Sequence, residues 1–185
     1  MKKQEFYFSS ANKEARMRAV EWLPEGEPKA VLHICCDQTG QKQYSEELAE
    51  YFSMHGFVVI ACKVFAQIEM SHCLQTVKNK YADVPHLLLG CSEGAVTVRS
   101  FIHRYPEAVE GAVLADIEQC MAAPDEKLPV LQISGVIQNR QEAFRQIFNW
   151  TEERLDEMLY QAATKYKKMK REIRHAALLC EPQNL

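Results

Sequence analysis

The residues with the clearest capacity for chemistry stand in Gly90-Cys91-Ser92-Glu93-Gly94, which follows the apolar run His86–Leu89 and precedes "AVTVRSFIHRYP". A serine hydroxyl attacks an acyl carbon only where a base takes its proton and N–H donors hold the resulting oxyanion. A serine framed by glycines between a strand and a helix can be forced into a sharp turn that lifts its hydroxyl above the sheet. Glycines are needed there because side chains would clash with the neighbouring strand and helix. The turn also brings the backbone N–H of Glu93, at a helix N-terminus, to where an oxyanion would form. The spacing arises by chance as well, so its weight comes from the strand before it and the helix after it. An ordinary turn serine is the bland alternative.

Other reactive side chains are less organised. His33 falls in a buried strand, His55 at a helix end, His86 at a strand start and His103 in the helix after Ser92, and each reads as structural. His72, beside Cys73, is a second candidate base. The seven cysteines are odd in number, form no C-x-x-C pair and mostly lie in apolar runs, which suits reduced, buried thiols better than a disulfide frame or a zinc site. Neither metal nor cofactor is expected.

A formal net charge of -3 leaves no overall positive field for a phosphate backbone. The basic stretch Lys165–Arg174 has aliphatic residues at helical spacing between its charges, so a solvated helix face is expected and nucleic acid is not. No signal-peptide-like or membrane-spanning apolar segment is found, and a cytoplasmic location is expected.

The elements that must position Ser92 follow from periodicity. Glu5–Ser10 and Ala15–Pro24 alternate with period two and read as an antiparallel hairpin. Ala30–Cys36 is a continuous apolar run, as expected of a strand buried on both faces, and Phe57–Cys62, "HLLLG", "GAVLAD" and "LPVLQISG" read as further strands. Between them, helices are expected in "YSEELAEYFSMHG", with Leu48, Tyr51 and Phe52 on one stripe and Gly56 as its stop, in "LQTVKNKYAD", and in "GAVTVRSFIHRYP", ended by Pro106. Such alternation implies an α/β fold: a mostly parallel sheet with an N-terminal antiparallel hairpin and helices on both faces. After Gly135 the strands stop. Arg140–Phe148 reads as one helix, and a second begins near Thr151 as its cap, with Leu155, Leu159, Ala162, Tyr166, Met169 and Ile173 forming a stripe. That stripe is a core face or a homodimerising one. One domain is expected over 1–185, with the sheet core at 1–135 and a helical segment at 136–185.

The segments "AVEWLPEGEPKAVLHI", "YSEELAEYFSMHGFVVIA", "LLLGCSEGAVTVRSFIHRYPEAVEGAVLAD" and "LPVLQISG", in that order, resemble the monoacylglycerol lipase and lysophospholipase branch of the α/β-hydrolases. The resemblance implies Ser, His and Asp cleaving carboxylic esters through an acyl-enzyme on Ser92. It matches His175, in "IRHAALLCEP", to the base, and Asp37 to the residue whose N–H completes the oxyanion hole with Glu93. Several motifs differ. Cys35-Cys36 replace the family's His-Gly pair, and "CKVFAQIEM" replaces its Asp-x-Arg-Gly-x-Gly loop. Asp116 and Leu128 are only 12 positions apart where relatives insert a cap. Gln138 stands at the usual acid position; it hydrogen-bonds but carries no charge, so Asp116 becomes the candidate acid.

Two functions therefore stand open. One is a small, capless serine esterase acting on a small acyl ester, and the other a noncatalytic relative that binds or scaffolds and keeps the turn because the fold needs it.

Overall fold

A computed structural model describes residues 1–10, 16–36, 42–62, 67–117, 128–136 and 138–179, with side chains at all of these but 36, 42–43 and 174–179. The chain divides into two compact units, Met1–Phe148 and Asn149–Leu185.

The first unit is built on one seven-stranded sheet of order β1-β2-β4-β3-β5-β6-β7. The hairpin joins β1 (Lys2–Ser9) to β2 (Arg16–Leu23), each a little shifted from the expected ends. β2 continues antiparallel onto β4 (Phe57–Cys62). From there β3 (Ala30–Cys36), β5 (His86–Cys91), β6 (Gly111–Ala115) and β7 (Val130–Ile133) are all parallel. The expected mixed sheet is thus observed. Every residue of β5 and β6 is buried, which is why these strands read as unbroken apolar runs rather than alternating ones.

Successive strand side chains point to opposite faces, so the sheet presents two apolar surfaces. One carries Val58, Ile60, Leu88, Ala112 and Leu114 and is covered by α2 (Gln67–Lys80), through Met70, Cys73, Leu74 and Val77, and by α3 (Glu93–Arg104), through Ala95, Val98, Phe101 and Ile102. The other carries Phe57 and is covered by α1 (Lys42–Met54) and the first turns of α4 (Arg140–Leu179). There the rings of Phe52, Phe57 and Phe148 meet edge to face at 5.2 to 6.2 Å. The expected α1 stripe is buried through Leu48 and Phe52, and the helix stops at Gly56, whose φ of 94° suits a residue without Cβ.

Two expectations are corrected. α2 begins at Gln67, seven residues before the expected Leu74. α4 is one continuous helix of 40 residues, and Thr151 is a buried interior residue rather than a cap. Asn149 and Thr151 lower helix propensity by only a few tenths of a kcal/mol each, and no Gly or Pro interrupts the segment. Local cap chemistry lost to helix continuity.

Cys35, Cys62, Cys73 and Cys91 are free and buried. Contacts from the Cys35 and Cys73 thiols, together with burial, push the Cys62 thiol well above its usual pKa. Deprotonation of Cys62, and with it nucleophilic reactivity, is suppressed. No helix among the described residues is long and apolar enough to cross a membrane.

His33 and His86 form a buried pair, Nε2 of His33 lying 3.0 Å from Nδ1 of His86. The Tyr81 carbonyl, 3.0 Å from His86 Nε2, can only accept, so that nitrogen donates, and in the neutral ring Nδ1 then accepts the His33 N–H. Both rings are biased towards the neutral form. Burial is the main cause: it drives His33 well below the ordinary imidazole value, aided by His86 and Lys78, and it lowers His86 against the opposing hydrogen bond to Tyr81. Unfolding frees both rings to take up protons near their ordinary pKa of about 6.5, so stability falls as pH drops through that value. Denaturant midpoints should decline from pH 7 to pH 5 with a slope limit of about 1.4 kcal/mol per pH unit per proton. The two imidazole NMR signals should titrate at lower pH than a free imidazole, His33 the lower. A flat midpoint would contradict the assignment.

Candidate active site

Ser92 occupies the junction of β5 and α3 with φ 51° and ψ -117°, outside the conformations a side-chain-bearing residue ordinarily adopts. Its N–H donates to the Ala115 carbonyl at 2.9 Å, tying the turn to the end of β6, and its carbonyl accepts from the Ala95 N–H at 3.0 Å. The bend is held from both sides. Ser92 is half-buried, and Glu93, the first residue of α3, is exposed. The leading N–H groups of a helix have no intrahelical acceptor, so the amide of Glu93 belongs to the set that can meet an anion.

Gly90 shows why the turn needs glycine. A Cβ there would lie 2.6 Å from Ala95 Cα and from the Gly94 carbonyl oxygen, and 2.7 Å from the Ala95 nitrogen. All three are backbone atoms, which cannot swing aside. Gly94 is buried in the first turn of α3.

Asp116 is placed beside this turn. β6 pairs with β5 so that Ala115 lies opposite Cys91, and the residues that follow, Ser92 and Asp116, both take φ 51°. They are the two non-glycine residues with positive φ among those described. Asp116 Oδ1 accepts from the N–H groups of Gly135 at 2.6 Å and Val136 at 3.2 Å, while its own N–H donates to the Ile133 carbonyl. One carboxylate oxygen thereby fastens the end of β6 to the turn after β7. Sequence spacing alone does not reveal this latch, because its partners are 19 and 20 residues away. The single local signal is that aspartate tolerates the left-handed conformation better than most residues.

Gln138, the residue at the usual acid position, is exposed in that same turn; its Oε1 lies 3.6 Å from where a Gly135 Cβ would stand. Asp37 falls outside the described residues. The strand it follows, β3, ends with Cys36 opposite Cys91. His175 lies within α4, in the second unit, and its side chain is outside the described set. Among the other histidines, His86 precedes Ser92 by six strand residues, ~20 Å at strand rise. His72 Nδ1 meets the Ser9 carbonyl of β1, a strand four places from β5 and so ~19 Å away across the sheet. Neither reaches the Ser92 hydroxyl. Among the described residues no group of His, Cys, Asp and Glu is arranged to hold a metal ion.

Solved structures share this fold. An alpha-beta serine hydrolase homologue from Coxiella burnetii superposes with a TM-score of 0.58 at 14% identity, over 78% of this chain and 81% of that one. The fold is that of the α/β-hydrolases. A Xanthomonas campestris protein described as an a/b serine hydrolase without lid matches at a TM-score of 0.57 and 13% identity, over 74% of this chain and 72% of its own. A thermostable carboxyl esterase from Bacillus coagulans superposes with a TM-score of 0.53 at 20% identity, over 63% of this chain. This chain spans less than half the length of that esterase, 44%. No protein-family model matches the sequence, and no curated protein sequence does.

Proposed function

We propose that the chain is a serine hydrolase of carboxylic esters, of the lysophospholipase and monoacylglycerol lipase type, lacking a cap. Ser92 Oγ attacks the acyl carbon, His175 takes its proton and returns it to the departing alcohol, and water then hydrolyses the acyl-enzyme by the same route. The N–H groups of Glu93 and Asp37 hold the oxyanion, and Asp116 orients the base. The observation that carries this reading is the strained φ of Ser92 at a strand-to-helix bend, because strained backbone concentrates at reactive sites. The solved structures named above, titled as serine hydrolases or an esterase, support it at the level of fold. The short link between Asp116 and Leu128 supports an open site suited to short or exposed acyl groups. Four free thiols support a reducing compartment such as the cytoplasm.

A second reading, a noncatalytic chain that binds or scaffolds, has two observations in its favour. His175 lies inside α4 rather than after a strand, while one Asp116 oxygen is committed to backbone N–H groups. A fluorophosphonate probe separates the two. The enzyme is labelled, and labelling vanishes in Ser92→Ala while His175→Ala slows it strongly. A folded wild-type chain that resists labelling at high probe concentration excludes the esterase.

A further inference from the structure

Within the second unit, α4 leaves a line of large apolar side chains in water. Leu159 is 68% exposed, Tyr166 60%, Met169 48% and Ile173 61%, with Ala162 exposed between them. Single exposed hydrophobes are ordinary, but a contiguous stripe on one helix marks a contact surface. The spacing identifies which kind. Positions 159, 162, 166, 169 and 173 advance by three and four residues in strict alternation, the repeat of a coiled-coil seam. Leu155, next in that series towards the N-terminus, is already buried.

Charge along the same helix says what lies on the seam. Glu152, Glu153, Asp156 and Glu157 precede it, with Arg154 among them, whereas Lys165, Lys167, Lys168, Lys170 and Arg171 crowd its second half. Two such helices laid parallel would set like charges together, with Lys165 of each copy flanking Lys170 of the other. Laid antiparallel about Thr164, the acidic positions 152–157 of each fall at the level of 171–176 of the other, beside the end of its basic run. That register places Leu159 opposite Met169 and the small Ala162 opposite the large Tyr166, each pair occurring twice by symmetry. Asp156 then flanks Lys170 in both copies, against a single Lys165 to Lys165 encounter at the centre.

We infer that the exposed face of α4 is a homodimer interface, in which a second copy of this chain docks antiparallel through Leu159, Ala162, Tyr166 and Met169. A symmetric two-fold contact of this kind is closed, which limits assembly to the dimer. The interface does not depend on Ser92 chemistry.

Sedimentation velocity on the full chain should give the mass of two copies at higher concentrations. Leu159→Glu with Met169→Glu should yield a monomer whose helical circular dichroism is retained, which separates loss of docking from loss of folding. Lys170→Asp should raise the dimer dissociation constant by about tenfold, and adding Asp156→Lys should restore it, since the swap rebuilds both flanking pairs. If Lys170→Asp instead tightens the dimer, the helices run parallel and the proposed pairing is overturned. A chain that stays monomeric throughout its soluble range, or forms a larger oligomer, also overturns it; the monomeric result would assign the seam to a different protein.

Discussion

Gly90→Ala should lose at least about 3 kcal/mol of stability and, with it, reaction at Ser92. Ordinary overpacking costs about 1 to 3 kcal/mol because side chains can repack around an extra methyl group. Here the methyl carbon would stand 2.6 Å from Ala95 Cα and the Gly94 oxygen, so relief requires moving α3 itself off the sheet. That helix is held by Ala95, Val98, Phe101 and Ile102, all buried, and a shift opens gaps along its whole inner face. At about 2 to 4 °C per kcal/mol for a chain of this size, the melting temperature should fall by about 6 to 12 °C or more. Gly26→Ala is the control: φ is 92° there but nothing lies within 4 Å, so only backbone strain of about 1 kcal/mol applies. Denaturant titration of the two variants ranks them, and equal losses would mean that the close approach of helix and strand at Gly90 does not matter. Ser92 should also stop reacting with a fluorophosphonate in Gly90→Ala, since the displaced helix carries the Glu93 amide with it.

This contrast shows what a sequence can and cannot declare. Gly90, Ser92 and Gly94 act within five residues, so their spacing carries the turn, and the parallel strands announce themselves because burial on both faces removes polar residues from Phe57–Cys62 and Gly111–Ala115. The exchange of β3 and β4 in the sheet order leaves no such mark, since each strand is equally apolar. Buried polar pairings are also silent. Glu21 accepts from Lys80, Tyr81 and Gln4, and His33 donates to His86, across separations of 17 to 60 residues that no local pattern encodes. Burial alone would raise the Glu21 pKa, but its hydrogen bonds from Lys80, Gln4 and Tyr81 outweigh that and hold it below the ordinary value. The rest of the candidate triad shares this difficulty: a base and an acid are brought to a nucleophile by the fold, and only the nucleophile has a local signature. In α4 a local signature misleads instead. Asn149, Trp150 and Thr151 have the types of a helix start, yet the backbone continues through them.

Asp116 carries two tasks that one pair of substitutions pulls apart. As a latch it needs an acceptor at Oδ1 and tolerance of φ 51°; as a triad acid it needs a negative charge. Asp116→Asn would keep the acceptor and the tolerance and lose the charge. Stability should change by no more than about 1 kcal/mol, whereas turnover of a short ester should fall by about 10³ to 10⁴, because a neutral amide neither stabilises an imidazolium nor enforces its tautomer. Asp116→Ala strips the acceptor from the Gly135 and Val136 N–H groups and puts a methyl side chain in the left-handed region. It should cost about 2 to 4 kcal/mol in addition to activity. The decisive comparison is between the kinetic and thermodynamic losses of the asparagine variant. Activity lost with stability intact makes the carboxylate a working part of the triad. Activity retained in Asp116→Asn would reduce Asp116 to the fastener between β6 and the turn after β7, and the charge that supports the base would have to come from another residue.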